Sequence, residues 1–211
     1  MEADRQPAGK PVVTLFEHYG AGAQAVGTKV AEALGLPFHG QAFSSEDIEG
    51  GGPDRLAQNA TLATVYAAMG GAYGGFDGRD VVATQQDKYD LVMDNNRTVR
   101  SYAESGGVIV GRNATVILAD RPNTVHVLLT GALVDRVARA AQQAEIPLDR
   151  AAARQQREDD VRGEMSKVLY GWDPRLPDRY DMVFNTSRVP IDGVVRAIVE
   201  TVRALAGPAQ V

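Results

Sequence analysis

VVTLFEHYGAGAQAVGTKVAEAL, from Val12 to Leu34, passes from an apolar run through a glycine turn into a helix-forming stretch. Val12 to Phe16 have the β-branched and aromatic makeup of a buried strand. Gly20-Ala21-Gly22 turns the chain, and the residues after it read as a helix to Leu34, stopped at Gly35 with Pro37 just beyond. Strand, glycine turn and helix together make a phosphate-binding arrangement. Glycine lets backbone N–H groups approach an anion, and the helix N-terminus adds partial positive charge. A nucleotide phosphotransferase carries G-x-x-x-x-G-K-[ST] at such a turn. This chain has Gly22-x-x-x-x-Gly27 followed by Thr28-Lys29, the last two in inverted order. The same loop satisfies G-x-G-x-x-A through Gly20, Gly22 and Ala25, with Glu46 or Asp47 about 20 residues on. A dinucleotide site therefore stays open beside the nucleotide one.

The chain has 211 residues, 44% of them hydrophobic, which suits one domain with a sizeable core. It has no cysteine, which excludes disulfides and thiolate metal sites and favours the cytoplasm. No apolar run approaches the roughly 18 residues a membrane helix needs, and the polar start MEADRQPAGK is unlike a secretory signal. Residues 1–10 are expected to be disordered. A net charge of −5 argues against long nucleic acid as a partner. Small-molecule nucleotides are the expected partners, with homo-oligomerisation left open. Six arginines (Arg136, Arg139, Arg150, Arg154, Arg157 and Arg162) succeed one another with no lysine among them. Guanidinium forks suit phosphate, whereas a plain solvated face mixes in lysine.

Further along, PFHGQAF reads as a short second strand, and residues 44–80 as a mobile insert holding a helix from Asp54 to Met69. A helix is expected from Gln86 to Glu104 and a strand, buried on both faces, at Val108 to Val110. Thr124 to Leu129 read as another strand. A helix from Ala132 to Ala144 is interrupted at Pro147, and Asp149 is expected to cap a second one reaching Lys167. Met182 to Asn185 and Ile191 to Leu205 close the chain as strand and helix. Strands alternating with helices imply an α/β sandwich with a mostly parallel sheet, with 132–170 as the candidate helical lid region.

Gly111-Arg112 comes after a buried strand, at the sheet edge where ligands bind in open α/β folds. Arg112 is thus a candidate for a phosphate or a base edge, against an ordinary charged strand end. Arg97 and Arg100, at i, i+3 on the preceding helix, either join it or form a solvated face. Arg154 and Arg157 share a helix face, with Arg162 after Asp160; they make either a basic lid over phosphates or a salt-bridged surface. His18 precedes the glycine loop, and His126 sits within an apolar strand as a hydrogen-bonded core residue. No residue is assigned to a metal. The absence of a general-base motif is uninformative for transfer between phosphates, which rests on positioning and charge neutralisation.

Four stretches together resemble the cytidylate kinase-like family, over about Val12 to Leu205. Tyr19-Gly20-Ala21-Gly22 with Gly27 resembles its glycine loop, and GGVIVGRNATVILADRPN its V-I-V-G-R-G-A strand and turn. The arginines from Arg136 through Asp159-Asp160-x-Arg162 are similar to its lid, and RYDMVFNTSRVPIDGVV to its Y-D-L-V-I-N-T-S-R segment. The resemblance implies a three-layer P-loop kinase fold, ATP with Mg2+, and transfer to a pyrimidine nucleoside monophosphate. It would place Gly20, Ala21 and Gly22 around donor phosphates, Arg112 at the acceptor, and Arg154, Arg157 and Arg162 between the phosphate chains; Ala23, Gln24 and Ala25 complete the candidate loop, and Asn113, Arg97 and Arg100 the candidate acceptor site. This sequence departs from the pattern at several points. Asn113 stands where cytidylate kinases carry aspartate, Ala23 where the loop lysine falls, and Ala25 where a hydroxyl assists magnesium. Relatives often have arginine where this chain has Gln24, and an Arg-Glu pair where it has Glu17-His18. Lys29 lies six residues beyond Ala23, about 9 Å of helix rise, largely out of reach. The loss of a close cation costs about 4 kcal/mol at an effective dielectric near 20, or about a thousandfold in rate. A nucleotide-binding protein with a regulatory rather than catalytic purpose is the alternative; a dinucleotide-dependent oxidoreductase is the more distant one.

Overall fold

Val12 to Glu17 form β1, and their alternation sorts the core. Val13 and Leu15 point to one side of the sheet, Val12 and Thr14 to the other. The computed structural model describes residues 9–43 and 81–205. The expectations for a mobile insert at 44–80, for the helix from Asp54 and for Glu46 and Asp47 lie outside the described residues, as does most of the polar start. Gly9 and Lys10, expected to be disordered, are anchored. Asn123 Nδ2 donates to the Gly9 carbonyl at 2.7 Å and Arg121 Nη2 to that of Lys10 at 2.8 Å.

After β1 come α1 (Ala23–Leu34), β2 (Phe38–His39), α2 (Val81–Glu104) and β3 (Gly107–Val110). A one-turn α3 (Ala114–Ile117), β4 (Thr124–Thr130), α4 (Leu133–Ala144), α5 (Leu148–Tyr170), β5 (Met182–Asn185) and α6 (Ile191–Leu205) complete the described chain. The strands lie in the order β2-β3-β1-β4-β5, every neighbouring pair parallel. In register, Val13 meets Val108 on one side and Val125 on the other.

α1 buries Ala23, Val26, Gly27, Val30 and Ala31, the i, i+3, i+4, i+7, i+8 stripe of a half-buried helix. That stripe packs with Val194, Ile198, Val199 and Val202 of α6 against Val13, Leu15, Val108, Val127 and Leu129. Burial of each valine, leucine or isoleucine side chain among them stabilises by about 1.5–3 kcal/mol. The opposite face takes Val12, Ile109, Ala114 and Leu118 under Val99 and Ala103 of α2, which gives the helix–sheet–helix layering. Thr14 on that face is satisfied by Thr115 Oγ1 at 3.1 Å and His126 Nδ1 at 2.8 Å, so His126 is a hydrogen-bonded core residue. Gly35 ends α1 in the left-handed region at φ 63°.

Several boundaries differ from expectation. α2 begins at Val81, and α5 runs on to Tyr170, whose hydroxyl bonds with Asn95 and Asn96 of α2 hold that last turn. Asp149 is not the cap of α5. Pro147 holds that position, and Asp149 lies in the first turn, where a carboxylate suits the helix dipole. No helix among the described residues is long and apolar enough to cross a membrane.

Candidate functional site

β1 is the central strand, with β3 and β4 on its two sides, so its carboxyl end opens at the switch point of the sheet. The glycine loop starts there. Gly20 (φ 81°) and Gly22 (φ 100°) both occupy the left-handed region, which turns the loop and aims the first amides of α1 to one side. Those amides already have an acceptor. Glu17, the last residue of β1, receives the N–H of Gly22 at 2.7 Å and of Ala23 at 2.9 Å on its Oε2. Burial pushes the Glu17 carboxyl up from its ordinary value, opposed by the Ala23 amide, by Arg162 and by the Gly22 amide.

α4 and α5 hold the loop from its other side. Arg136 Nη1 donates to the Tyr19 carbonyl at 2.9 Å and to Asp159 Oδ2 at 3.1 Å. Asp159 Oδ1 in turn accepts the Tyr19 N–H at 2.7 Å. Arg139 Nη1 reaches the Gly20 carbonyl at 2.6 Å and Thr186 Oγ1 at 3.1 Å. A cleft of about 310 Å³ opens between loop and helices, lined by Glu17, Tyr19, Gly20, Ala140, Gln143 and Arg154 among others. Two stretches singled out by sequence, the loop and the arginine-rich helix, thus meet in one cleft.

The arginines of α5 do not share one environment. Arg154 is only 3% exposed, while Arg157 is exposed; the two therefore do not form the solvated pair that their spacing had allowed. Arg162 Nε donates to Glu158 Oε2 at 2.7 Å, and Glu158 is fully buried. Ala23 is buried in the core and Gln24 is exposed. Lys29 pairs with Asp192 at 2.6 Å, which commits its ammonium to α6. His18 Nδ1 lies 3.3 Å from Thr130 Oγ1, and burial pushes its imidazole below the ordinary value.

At the end of β3, Gly111, Arg112 and Asn113 take the left-handed conformation in succession, at φ 68°, 56° and 54°. For the two non-glycine residues this is strained backbone, which clusters at ligand sites. Arg112 Nε donates to the Gly40 carbonyl at 3.0 Å, and its guanidinium carbon sits 5.7 Å from the Tyr102 ring centre. His39 stacks on the same Tyr102 at 3.7 Å. Asn113 Oδ1 accepts the indole N–H of Trp172 at 2.9 Å. Arg97 and Arg100 are exposed on α2, and Arg97 pairs with Asp94. The α2 residue that reaches this turn is Asn95, whose Nδ2 donates to the Arg112 carbonyl at 2.8 Å and to Tyr170 Oη at 2.7 Å. Sequence reasoning missed Asn95, Trp172, Asp159 and Glu17 in these roles. Only Glu17 carried a signal: a carboxylate at the end of a buried strand, directly before a glycine turn.

A parallel sheet whose central strand feeds a glycine loop at a helix N-terminus defines an α/β protein of the P-loop kinase kind. Solved structures share this fold. A gluconokinase from Sinorhizobium meliloti superposes with a TM-score of 0.50 at 18% identity, covering 96% of this chain and 95% of that one. An uncharacterized protein from Eubacterium ventriosum gives 0.66 at 16% identity, covering 92% and 99%. The chain belongs to the cytidylate kinase-like family, whose model matches residues 12–188. A cytidylate kinase of Methanopyrus kandleri is 29% identical over 147 residues, 64% of this chain and 76% of that protein. A uronate isomerase of Corynebacterium glutamicum is 32% identical over 111 residues, 53% of this chain. Those residues span 21% of the isomerase, too little of it to carry its activity here.

Proposed function

We propose that this protein binds ATP at the glycine loop and a nucleoside monophosphate of the cytidylate type beside Arg112, and transfers phosphate between them slowly. The observation that carries the reading is the cleft in which Arg154 of α5 meets Tyr19 and Gly20 of the loop. An arginine beside a glycine loop supplies the fixed positive charge that a phosphate chain needs. In this reading Gly20 to Ala25 surround the donor phosphates, and Arg154, Arg157 and Arg162 neutralise charge on the transferring group. Arg112 and Asn113 hold the acceptor, with Arg97 and Arg100 adding positive charge nearby. Arg112, Asn113 and Arg162 now have internal partners, so nucleotide binding exchanges those partners for phosphate or base. Slow transfer is the consequence of Ala23 and Gln24, which supply no fixed positive charge where it builds up in the transition state.

The loop fits a phosphate better than it fits a protein-held magnesium. Its amides already embrace a carboxyl oxygen, that of Glu17. Ala25 offers no oxygen to a metal, and no group of three or more His, Cys, Asp or Glu stands close enough to hold an ion among the described residues. A second reading, a nucleotide-binding protein that regulates without transferring phosphate, draws on the commitment of Lys29 to Asp192. Family membership gives the dinucleotide-dependent oxidoreductase no support.

A melting-temperature panel with ATP, CMP and NAD, each with and without magnesium, tests the binding. ATP and CMP should raise the melting temperature, and NAD should not. A shift with NAD alone, or with none of them, overturns the reading. ADP formation from ATP with CMP then separates catalyst from regulator. Gln24→Arg, at the exposed first turn of α1, should raise that rate without a large change in ATP affinity; Ala23→Lys should do the same if its stem can leave the core. An unmodified rate of about 1–100 per second, ordinary for kinases, would refute the slow-transfer claim.

A further inference from the structure

The two loop amides that a phosphate oxygen would use are occupied from within. Glu17 Oε2 takes both, at 2.7 and 2.9 Å, in short hydrogen bonds of the kind an ionised acceptor makes. Gly22 contributes no side chain to this end of α1, so the carboxylate acts as its anion. Glu17 also lines the cleft shared by Gly20 and Arg154, which puts its charge beside the space where a phosphate chain would lie. A carboxylate and a phosphate cannot share one pair of donors, and held side by side they repel each other. We propose that Glu17 is an internal competitor for the glycine loop, so that phosphate binds only when this carboxylate leaves the Gly22 and Ala23 amides.

The inference rests on the nucleotide-binding reading above and adds a residue that sets the affinity of that site. Departure of the side chain is a rotation at the end of β1 and leaves the strand register unchanged. Its cost falls on every anion that seeks the loop, whether pyrophosphate or ATP, because the contested donors are main-chain groups common to both. Burial raises the Glu17 carboxyl, and the Ala23 amide, Arg162 and the Gly22 amide oppose that rise by favouring the charged form.

The test uses the full chain labelled with 15N, as wild type, Glu17→Gln and Glu17→Ala, titrated with sodium pyrophosphate and with ATP while the Gly22 and Ala23 amide signals are monitored. Glu17→Ala should bind pyrophosphate at least about tenfold more tightly than wild type, a difference of about 1.4 kcal/mol, with both amides shifting. Glu17→Gln keeps the shape and loses the charge, and should fall between them. It carries the test if Glu17→Ala does not fold. Equal affinity in all three proteins would overturn the competitor and leave the nucleotide reading standing. No binding of either ligand by any of them would overturn both. A gain for pyrophosphate with no binding of ATP would keep the competitor and discard the nucleotide.

Discussion

Gly20→Ala is the substitution that most directly probes how the loop is held. The Gly20 φ of 81° lies where an L side chain is strained by about 1–2 kcal/mol. A Cβ there would fall inside van der Waals contact with the Arg136 carbonyl oxygen, 2.9 Å from the Arg136 carbonyl carbon and 3.3 Å from Ala140 Cβ. The oxygen is backbone within α4 and cannot swivel aside, so the loop must retreat by roughly 1 Å to restore an ordinary separation. That retreat stretches the bonds from Arg136 to the Tyr19 carbonyl, at 2.9 Å, and from Arg139 to the Gly20 carbonyl, at 2.6 Å. Losing one hydrogen bond to a charged group costs about 1.5–3 kcal/mol, so the total is about 2.5–5 kcal/mol. Gly35→Ala is the control. Gly35 has φ 63° but open space around it, so only the strain of about 1–2 kcal/mol applies. Urea unfolding monitored by far-ultraviolet circular dichroism gives both values. If the two variants lose the same stability within about 0.5 kcal/mol, the contact between loop and α4 is not what holds the loop, and the reasoning fails.

Arg136→Ala should cost about 3–5 kcal/mol in the same assay, because it leaves Asp159, 18% exposed at its side chain, without its cation; a loss below about 1 kcal/mol would contradict the clamp. Lys29→Ala should change stability by less than about 1 kcal/mol, since the pair with Asp192 is exposed, and should leave ATP affinity unchanged. A drop in ATP binding measured by calorimetry would show that Lys29 serves the loop after all. The Glu17 carboxyl has a folded pKa raised above its ordinary 4.5, chiefly by burial, so its contribution to stability is full below that value and is lost as pH rises through the folded one. Glu17→Gln should therefore gain stability relative to wild type as pH rises from about 4 to 7. Urea midpoints that keep a constant difference across that range would refute it.

Much of the architecture was legible because it is local. β1, the turn at Gly20 and Gly22, and α1 each arise from apolar run, glycine and periodicity within a short window. The parallel sheet could be inferred from alternation of strands and helices. What could not be read depends on residues far apart in sequence. Arg154 is buried because α5 lies against the loop and α4, which no helical wheel of α5 reveals. Lys29 finds Asp192 only because α1 and α6 share a face of the sheet. Arg97 and Arg100 have the right charge near Arg112, yet α2 presents Asn95 to that turn instead. The spacing of charges named the residue types, and the packing chose among them.

Trp172 is the only tryptophan in the chain, and its indole donates to Asn113 at the turn after β3. The protein thus contains one indole fluorophore, which red-edge excitation selects over the tyrosines, wired by a hydrogen bond to the proposed acceptor pocket. Excitation of that single indole reports the pocket without labels and without a background from other tryptophans. A monophosphate that draws the Asn113 amide to itself shifts the Oδ1 that accepts the indole N–H, and the emission maximum moves with it. Stopped-flow mixing would then time acceptor arrival separately from events at the glycine loop.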